Sequence, residues 1–208
     1  MKKAVLALCL MSGVFGASLD SHAYIVDFES LAHNDDQIVE HGATYAEGGF
    51  LFTNTATVES SGYAPSFATL GTQVYGYSGS TALVNDNYAG QTVLTRVGGE
   101  TFNLSSITLA ALYPVDAPDN TPVSVLFTGT LANGATVSQS FTVNGTFGTQ
   151  VFSFGSDFNN LVSANWEQTL NSYQFDNVDV TATPIPAAAW LLGSGLMGLA
   201  GIRRRKQN

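Results

Sequence analysis

Three carboxylates are spaced so that they could share a cation. Asp27 and Glu29 stand two apart in Tyr24-Ile25-Val26-Asp27-Phe28-Glu29, a run of strand-forming type. Residues two apart on a strand project from the same face. Asp176 sits in a second such run near the other end, Tyr173-Gln174-Phe175-Asp176-Asn177-Val178. If the first and last strands pair, Asp176 approaches Glu29. Calcium takes about six to eight hard oxygens, carboxylates and backbone carbonyls among them. Asp27, Glu29 and Asp176 are therefore candidate ligands of a structural calcium, and the same residues also read as solvated acids at strand ends.

A second group is His33-Asn34-Asp35-Asp36 with Glu40-His41. Zinc requires three or four ligands converging at about 2.0–2.2 Å. No helix is expected here to bring residues eight apart onto one face, and Asp35-Asp36 suits a turn. The segment reads as a surface loop. Gly76-Tyr77-Ser78-Gly79-Ser80 has a serine between glycines, but a nucleophile elbow requires glycine two residues after the serine, where Ser80 stands. Paired carboxylates for glycoside hydrolysis depend on a separation that sequence does not set. The expectation is a protein that is not an enzyme.

The remaining candidates are aromatic. Tyr63, Tyr75, Tyr77 and Tyr88 fall in stretches rich in Gly, Ser and Asn. Exposed rings beside amide and carboxylate groups hold sugars by stacking and hydrogen bonding. Tyr75 and Tyr77 are the candidate ligand-binding pair. Trp166, in Ser163-Ala164-Asn165-Trp166, reads as a core residue.

The elements that must position these groups read as strands. Runs rich in Val, Thr, Phe and Tyr recur between Gly, Asn and Asp clusters, with no helical period. Strands are expected near 24–29, 49–54, 67–75, 80–85, 91–97, 101–113, 122–131, 135–143, 150–155, 160–168 and 172–181. Asn133-Gly134 should join two of them through a tight primed turn, since both residues tolerate positive φ, and Asn144-Gly145 offers another. Gln139-Ser140-Phe141-Thr142-Val143 alternates polar and apolar, as in an antiparallel sheet with one wet face. The fold class is all-β: an antiparallel β-sandwich, jelly-roll-like. Periodicity alone is equally compatible with a barrel.

The chain carries a net charge of -9. Between Tyr24 and Pro186, Arg96 is the single cation against fifteen of the sixteen acids. Such a body repels nucleic acid and anionic surfaces. It attracts divalent cations and should not bind an anionic polysaccharide directly. Low charge density with Ser, Thr, Asn and Gly also simply serves solubility.

Both ends carry addresses. Lys2-Lys3, the apolar run Ala4 to Ala17 and Ser21-His22-Ala23 form a signal peptide over residues 1–23, making Tyr24 the mature N-terminus. Cys9, the sole cysteine, leaves with it, so the body has no disulfide. The other end reads Pro184-Ile185-Pro186, an uncharged run of about 187–202, and Arg203-Arg204-Arg205-Lys206. Sixteen residues at about 1.5 Å rise nearly span a bilayer core of about 30 Å once a flanking stem snorkels. The cations stay cytoplasmic.

This three-part ending over residues 183–208 resembles the PEP-CTERM sorting tail of Gram-negative bacteria, in a variant with Ile185 in place of Glu. The resemblance implies processing near Pro184 and Pro186 by an exosortase, a membrane-embedded cysteine protease. A C-terminal helix would anchor the chain transiently, with Arg203, Arg204 and Arg205 setting topology. Export through the inner membrane then leads to the cell surface or an extracellular matrix linked to polysaccharide or biofilm. The body, residues 24–182, also resembles carbohydrate-binding-module sandwiches through Val26-Asp27-Phe28-Glu29, Gly48-Gly49-Phe50-Leu51-Phe52 and Phe175-Asp176-Asn177-Val178. That resemblance implies neighbouring first and last strands, a calcium between them, and the alternative role of attachment to a surface glycan. A secreted hydrolase stands third.

Overall fold

The computed structural model describes residues 23–56, 64–86, 90–112, 122–168 and 173–183. Among the described residues, thirteen strands run in chain order. They are β1 (Ala23–Val26), β2 (Ile38–Gly42), β3 (Thr44–Glu47), β4 (Phe50–Ala56), β5 (Phe67–Leu70), β6 (Val84–Asn85) and β7 (Gly90–Arg96), followed by β8 (Phe102–Ala111), β9 (Val123–Leu131), β10 (Thr136–Val143), β11 (Thr149–Ser153), β12 (Leu161–Glu167) and β13 (Tyr173–Ala182). Among the described residues the only helical elements are 3-10 turns at Glu29–Leu31 and Ser156–Phe158.

All pairing is antiparallel. One layer runs β1-β13-β8-β11 and the other β3-β4-β7-β12-β9-β10. The layers meet at one corner through the pair Leu161 and Phe102. The architecture is thus an antiparallel sandwich with a barrel-like closure at that corner. A small side sheet, β2-β5-β6, joins β13 through a bridge from Leu83 to Phe175.

Alternation explains why the layers face each other. Val123, Val125 and Phe127 of β9 are buried while Ser124 and Leu126 face out. Phe141 and Val143 continue the buried face in β10. The rings meet in the interior as an aromatic mesh. Trp166 lies 5.2 Å from Phe127 and 5.1 Å from Phe175, and Phe28 lies 5.4 Å from Phe52. The edge-to-face pairs, Trp166 with Phe175 and Phe28 with Phe52, each add about 0.5–1.5 kcal/mol to the area buried.

The turn between β9 and β10 differs from expectation. Gly134 has φ +83°, but Asn133 is not among the positive-φ residues. Gly134 N donates to Leu131 O (2.9 Å) and Leu131 N to Ala135 O (2.8 Å). This is a three-residue loop with glycine in the left-handed position, a common alternative to the primed two-residue turn. Asn144-Gly145 forms no tight hairpin either, because β11 pairs with β8 across the sandwich.

Several expected strands are shorter. β1 stops at Val26, β5 at Leu70, and the run 80–85 contracts to Val84–Asn85. β2 falls in the segment expected as a surface loop, and β3 in a stretch to which no strand is assigned. β2 is an edge strand whose apolar residues, Ile38 and Val39, are exposed, so it shows no alternation to read.

Candidate functional site

The carboxylates meet where β1 ends. The Phe28 ring is fully buried, 5.3 Å from Tyr45 and 5.7 Å from Phe175. Reaching that position puts its backbone in the left-handed region, φ 55°, a conformation costly for a bulky residue. The strand therefore breaks between Asp27 and Glu29. The expected projection of both from one strand face does not occur, and Glu29 instead opens a 3-10 turn.

Glu29 still reaches across the fold. Its Oε1 accepts from Ser80 Oγ and Thr81 N (both 3.1 Å), and its Oε2 from Thr81 Oγ1 (3.1 Å). Asp27 Oδ1 accepts from Glu29 N (3.1 Å). The first and last strands do pair, from Ala23 with Thr181 to Val26 with Val178. Asp176 lies just beyond that register, at an irregularity in β13. It is buried, and its oxygens accept from Asn177 N (2.6 Å) and Asn177 Nδ2 (2.8 Å). Asn177 also has positive φ, 45°.

Burial pushes the Asp176 carboxyl up to about 6; bonds from Ser80 and Asn177 oppose the rise, and the charges of Glu29 and Asp27 add to it. The three acids therefore share one electrostatic neighbourhood. Among the described residues, no three His, Cys, Asp or Glu side chains form a group able to hold a metal ion. Ser80 and Thr81 belong to this junction and were not singled out from sequence, since nothing in Ser-Thr marks a carboxylate partner fifty residues away.

Tyr75 and Tyr77 part company at Gly76. Its φ is +98°, and a Cβ there would lie 2.2 Å from Leu112 O. Its carbonyl accepts from Gln174 Nε2 (2.7 Å). This kink sends Tyr75 outward, 48% exposed, and packs Tyr77 on Ala68, Leu70, Val84 and Leu112. Burial raises the Tyr77 hydroxyl, with Glu29 and Asp176 adding to the effect.

Tyr75 meets Phe147 edge to face, with centroids 5.4 Å apart and an interplanar angle of 89°. Phe147 is 50% exposed. Its loop is closed by Asn144, whose Oδ1 accepts from Thr146 Oγ1 (2.7 Å) and Gln150 Nε2 (2.8 Å). Phe147 was not predicted; its partner is some seventy residues away in sequence. Trp166 is core, as expected. Tyr63 and Tyr88 lie outside the described residues.

The histidines are not simply in a loop. His33 Nε2 lies 3.2 Å and His41 Nε2 2.8 Å from the buried Thr69 Oγ1. Asp35 Oδ1 lies 2.7 Å from His33 Nδ1. That bond, helped by one from Gln37 N, lowers the Asp35 carboxyl below its usual range. Burial, and then the neighbouring His33, lowers the His41 imidazole below its usual value. Ser78 Oγ donates to Ser80 O (3.2 Å), which closes a turn.

The leader up to residue 22, the signal residues Pro184 and Pro186, the run 187–202 and Arg203, Arg204 and Arg205 lie outside the described residues. Among the described residues no helix is long and apolar enough to cross a membrane.

No protein-family model and no curated protein matches the sequence. Solved structures do match in outline. A family 29 carbohydrate-binding module from Piromyces equi is 10% identical, with a TM-score of 0.40 over 79% of this chain and 93% of its own. A CBM29-2 mutant complexed with mannohexaose is 8% identical, with a TM-score of 0.42 over 78% and 93%. Another, complexed with cellulohexaose, is 9% identical, with a TM-score of 0.40 over 78% and 92%. Superpositions this loose leave those ligands with those proteins, and the functional reading rests on the geometry above.

Proposed function

We propose that this chain is an exported, non-enzymatic β-sandwich that attaches to a neutral polysaccharide, and that its Pro184-Ile185-Pro186 tail is read by an exosortase-type protease. The observation that carries the attachment is the exposed pair of Tyr75 and Phe147. Half-exposed rings set at a right angle give a sugar one face to stack on and one edge to abut. Two loops with their own internal hydrogen bonds hold them, so little ordering entropy is lost on binding. Charge narrows the ligand. Arg96, the body's single cation, lies 3.9 Å from Glu100 and over the Phe50 ring. That leaves no free cation to meet an anionic sugar.

The tail supports the address. Its uncharged run and terminal cations suit transient anchoring in the inner membrane, with release or transfer to the cell surface after cleavage. A structural calcium at Asp27, Glu29 and Asp176 belongs to the same proposal; these side chains do not stand as a ready-made group, so the ion would have to draw them together.

A glycan array probed with the full chain in detergent micelles tests the attachment. Saturable binding to uncharged glycans is expected. Tyr75→Ala or Phe147→Ala should abolish it without moving the melting temperature. Binding that survives both changes would refute the site. Intact mass from cells with and without the processing protease tests the address: the mature form should lack Arg203 to Lys206 only when the protease is present.

A further inference from the structure

His33 and His41 meet on one hydroxyl although neither strand alternation nor helical spacing brings them together. The local chain is built to hold them there. The segment 33–37 is laced to 71–73: Gly71 N donates to Gln37 O (3.0 Å), Thr72 N to His33 O (3.2 Å) and Gln73 N to Asp35 O (3.0 Å). The two segments pass so closely that a Cβ on Gly71 would lie 2.3 Å from Asp35 O and 2.9 Å from His33 Nδ1. His41 comes from the edge strand β2, at a bulge between the pairs Glu40 with Ala68 and Gly42 with Phe67. Gly42 N donating to Ser66 Oγ (3.1 Å) pins that bulge.

Proton bookkeeping assigns the tautomers. An ionised Asp35 only accepts, so His33 Nδ1 carries the proton and a neutral ring leaves Nε2 bare. That Nε2 accepts from the Thr69 hydroxyl, which has a single proton to give. His41 Nε2 must then donate to Thr69 Oγ1. A carboxylate on Nδ1 that orients a bare Nε2 is the outer-shell arrangement found behind metal-bound histidines.

We propose that His33 Nε2 and His41 Nε2 form a two-imidazole site for a late first-row divalent cation, copper(II) ahead of zinc(II). The cation stands between the two nitrogens at about 2.0–2.1 Å from each, in the place the Thr69 hydroxyl now bridges. His41 moves its proton from Nε2 to Nδ1, so its charge is unchanged. Water fills the remaining positions. Copper leads because it binds nitrogen donors most tightly in the divalent series, whereas structural zinc asks for four protein ligands.

The test is calorimetric titration of the full chain, stripped with chelator in detergent micelles, with copper sulfate and then zinc sulfate. Electron paramagnetic resonance of the copper form counts the bound nitrogens. One equivalent of copper with a two-nitrogen signature is expected. His33→Gln and His41→Gln should each weaken binding at least about tenfold, and Asp35→Asn by about 10–100-fold. Thr69→Ala should keep the site, because it removes the hydroxyl that bridges only in the metal-free state and leaves that space to the cation. Melting curves on each variant establish that it is folded. Absence of saturable copper binding in the folded wild-type chain overturns the proposal. So does binding indifferent to both histidine changes, or a spectrum with fewer than two nitrogens.

Discussion

Between the two layers the contacts are ring against ring: Phe28, Phe52, Phe127, Trp166 and Phe175 form one buried mesh. In the side sheet of β2, β5 and β6 the equivalent place is taken by hydrogen bonds. Thr69 receives two imidazoles, Ser66 O accepts from Asn54 Nδ2 (2.7 Å), and Asn85 Oδ1 accepts from Thr92 Oγ1 (3.0 Å). Apart from Phe67, which joins the mesh against Phe175, its apolar share is small: Ala68, Leu70 and Val84 with Leu112. Dispersion and hydrophobic burial are non-directional and scale with area. Hydrogen bonds are directional, modest in net worth, and depend on which atom holds a proton. The mesh should therefore set global stability, and the side sheet should answer to conditions.

The sharpest way to break this contrast is one deletion in each region. Trp166→Ala should cost about 3–5 kcal/mol in denaturant unfolding, the range for emptying a buried aromatic site. Thr69→Val should cost about 1–3 kcal/mol, by leaving the half-buried imidazoles of His33 and His41 unmatched. Equal costs would erase the distinction.

Acid should then move the Asp176 junction and the side sheet in opposite directions. Asp176 has its folded value raised to about 6 from 3.8. Its contribution is fully present below 3.8 and is lost as pH rises through about 6. In the presence of chelator, Asp176→Asn should accordingly raise the melting temperature by a few degrees at pH 7 and leave it unchanged near pH 4. A bound calcium would relieve the same strain. Chelator should then lower the wild-type melting temperature at pH 7 and spare the Asn variant.

His41 has the opposite sign. Its folded value is depressed below 6.5, so its contribution is present above 6.5 and is lost as pH falls through the folded value. Amide exchange at pH 5 compared with pH 7 should show β2 protection falling several-fold while β1 and β13 hold or gain. Uniform loss would mean that the regions do not titrate separately. The smallest effect belongs to the exposed rings: Tyr75→Ala should change stability by no more than about 0.5 kcal/mol.

The strands of the mesh were legible because burial there imposes period two. Val123 to Val143 shows it. The pairing of the first and last strands came instead from the resemblance to carbohydrate-binding-module sandwiches, since Phe28 and Asn177 interrupt alternation there. β2 and β3 were not legible. An edge strand with exposed Ile38 and Val39 has no buried face to alternate against. The site residues divide on the same ground. Asp27, Glu29 and Asp176 were visible as charges near strand ends, but the left-handed turn at Phe28 was not, since it follows from where the ring must go. Phe147, Ser80 and the meeting of His33 with His41 depend on contacts between distant segments. Tyr75 and Tyr77 looked alike in sequence, and only the kink at Gly76 separates them.

The side-by-side lie of Ala23 and Thr181 has a mechanical consequence. A tug that separates the two ends of the body would peel β1 from β13 one rung at a time, a weak mode of resistance. A tug from Thr183 against a load borne on the far loops would instead strain β13 lengthwise between β1 and β8, where many rungs must yield together. The attachment proposed above, with a tail at one end and a glycan on the far loops, would load the body in that second, stronger mode.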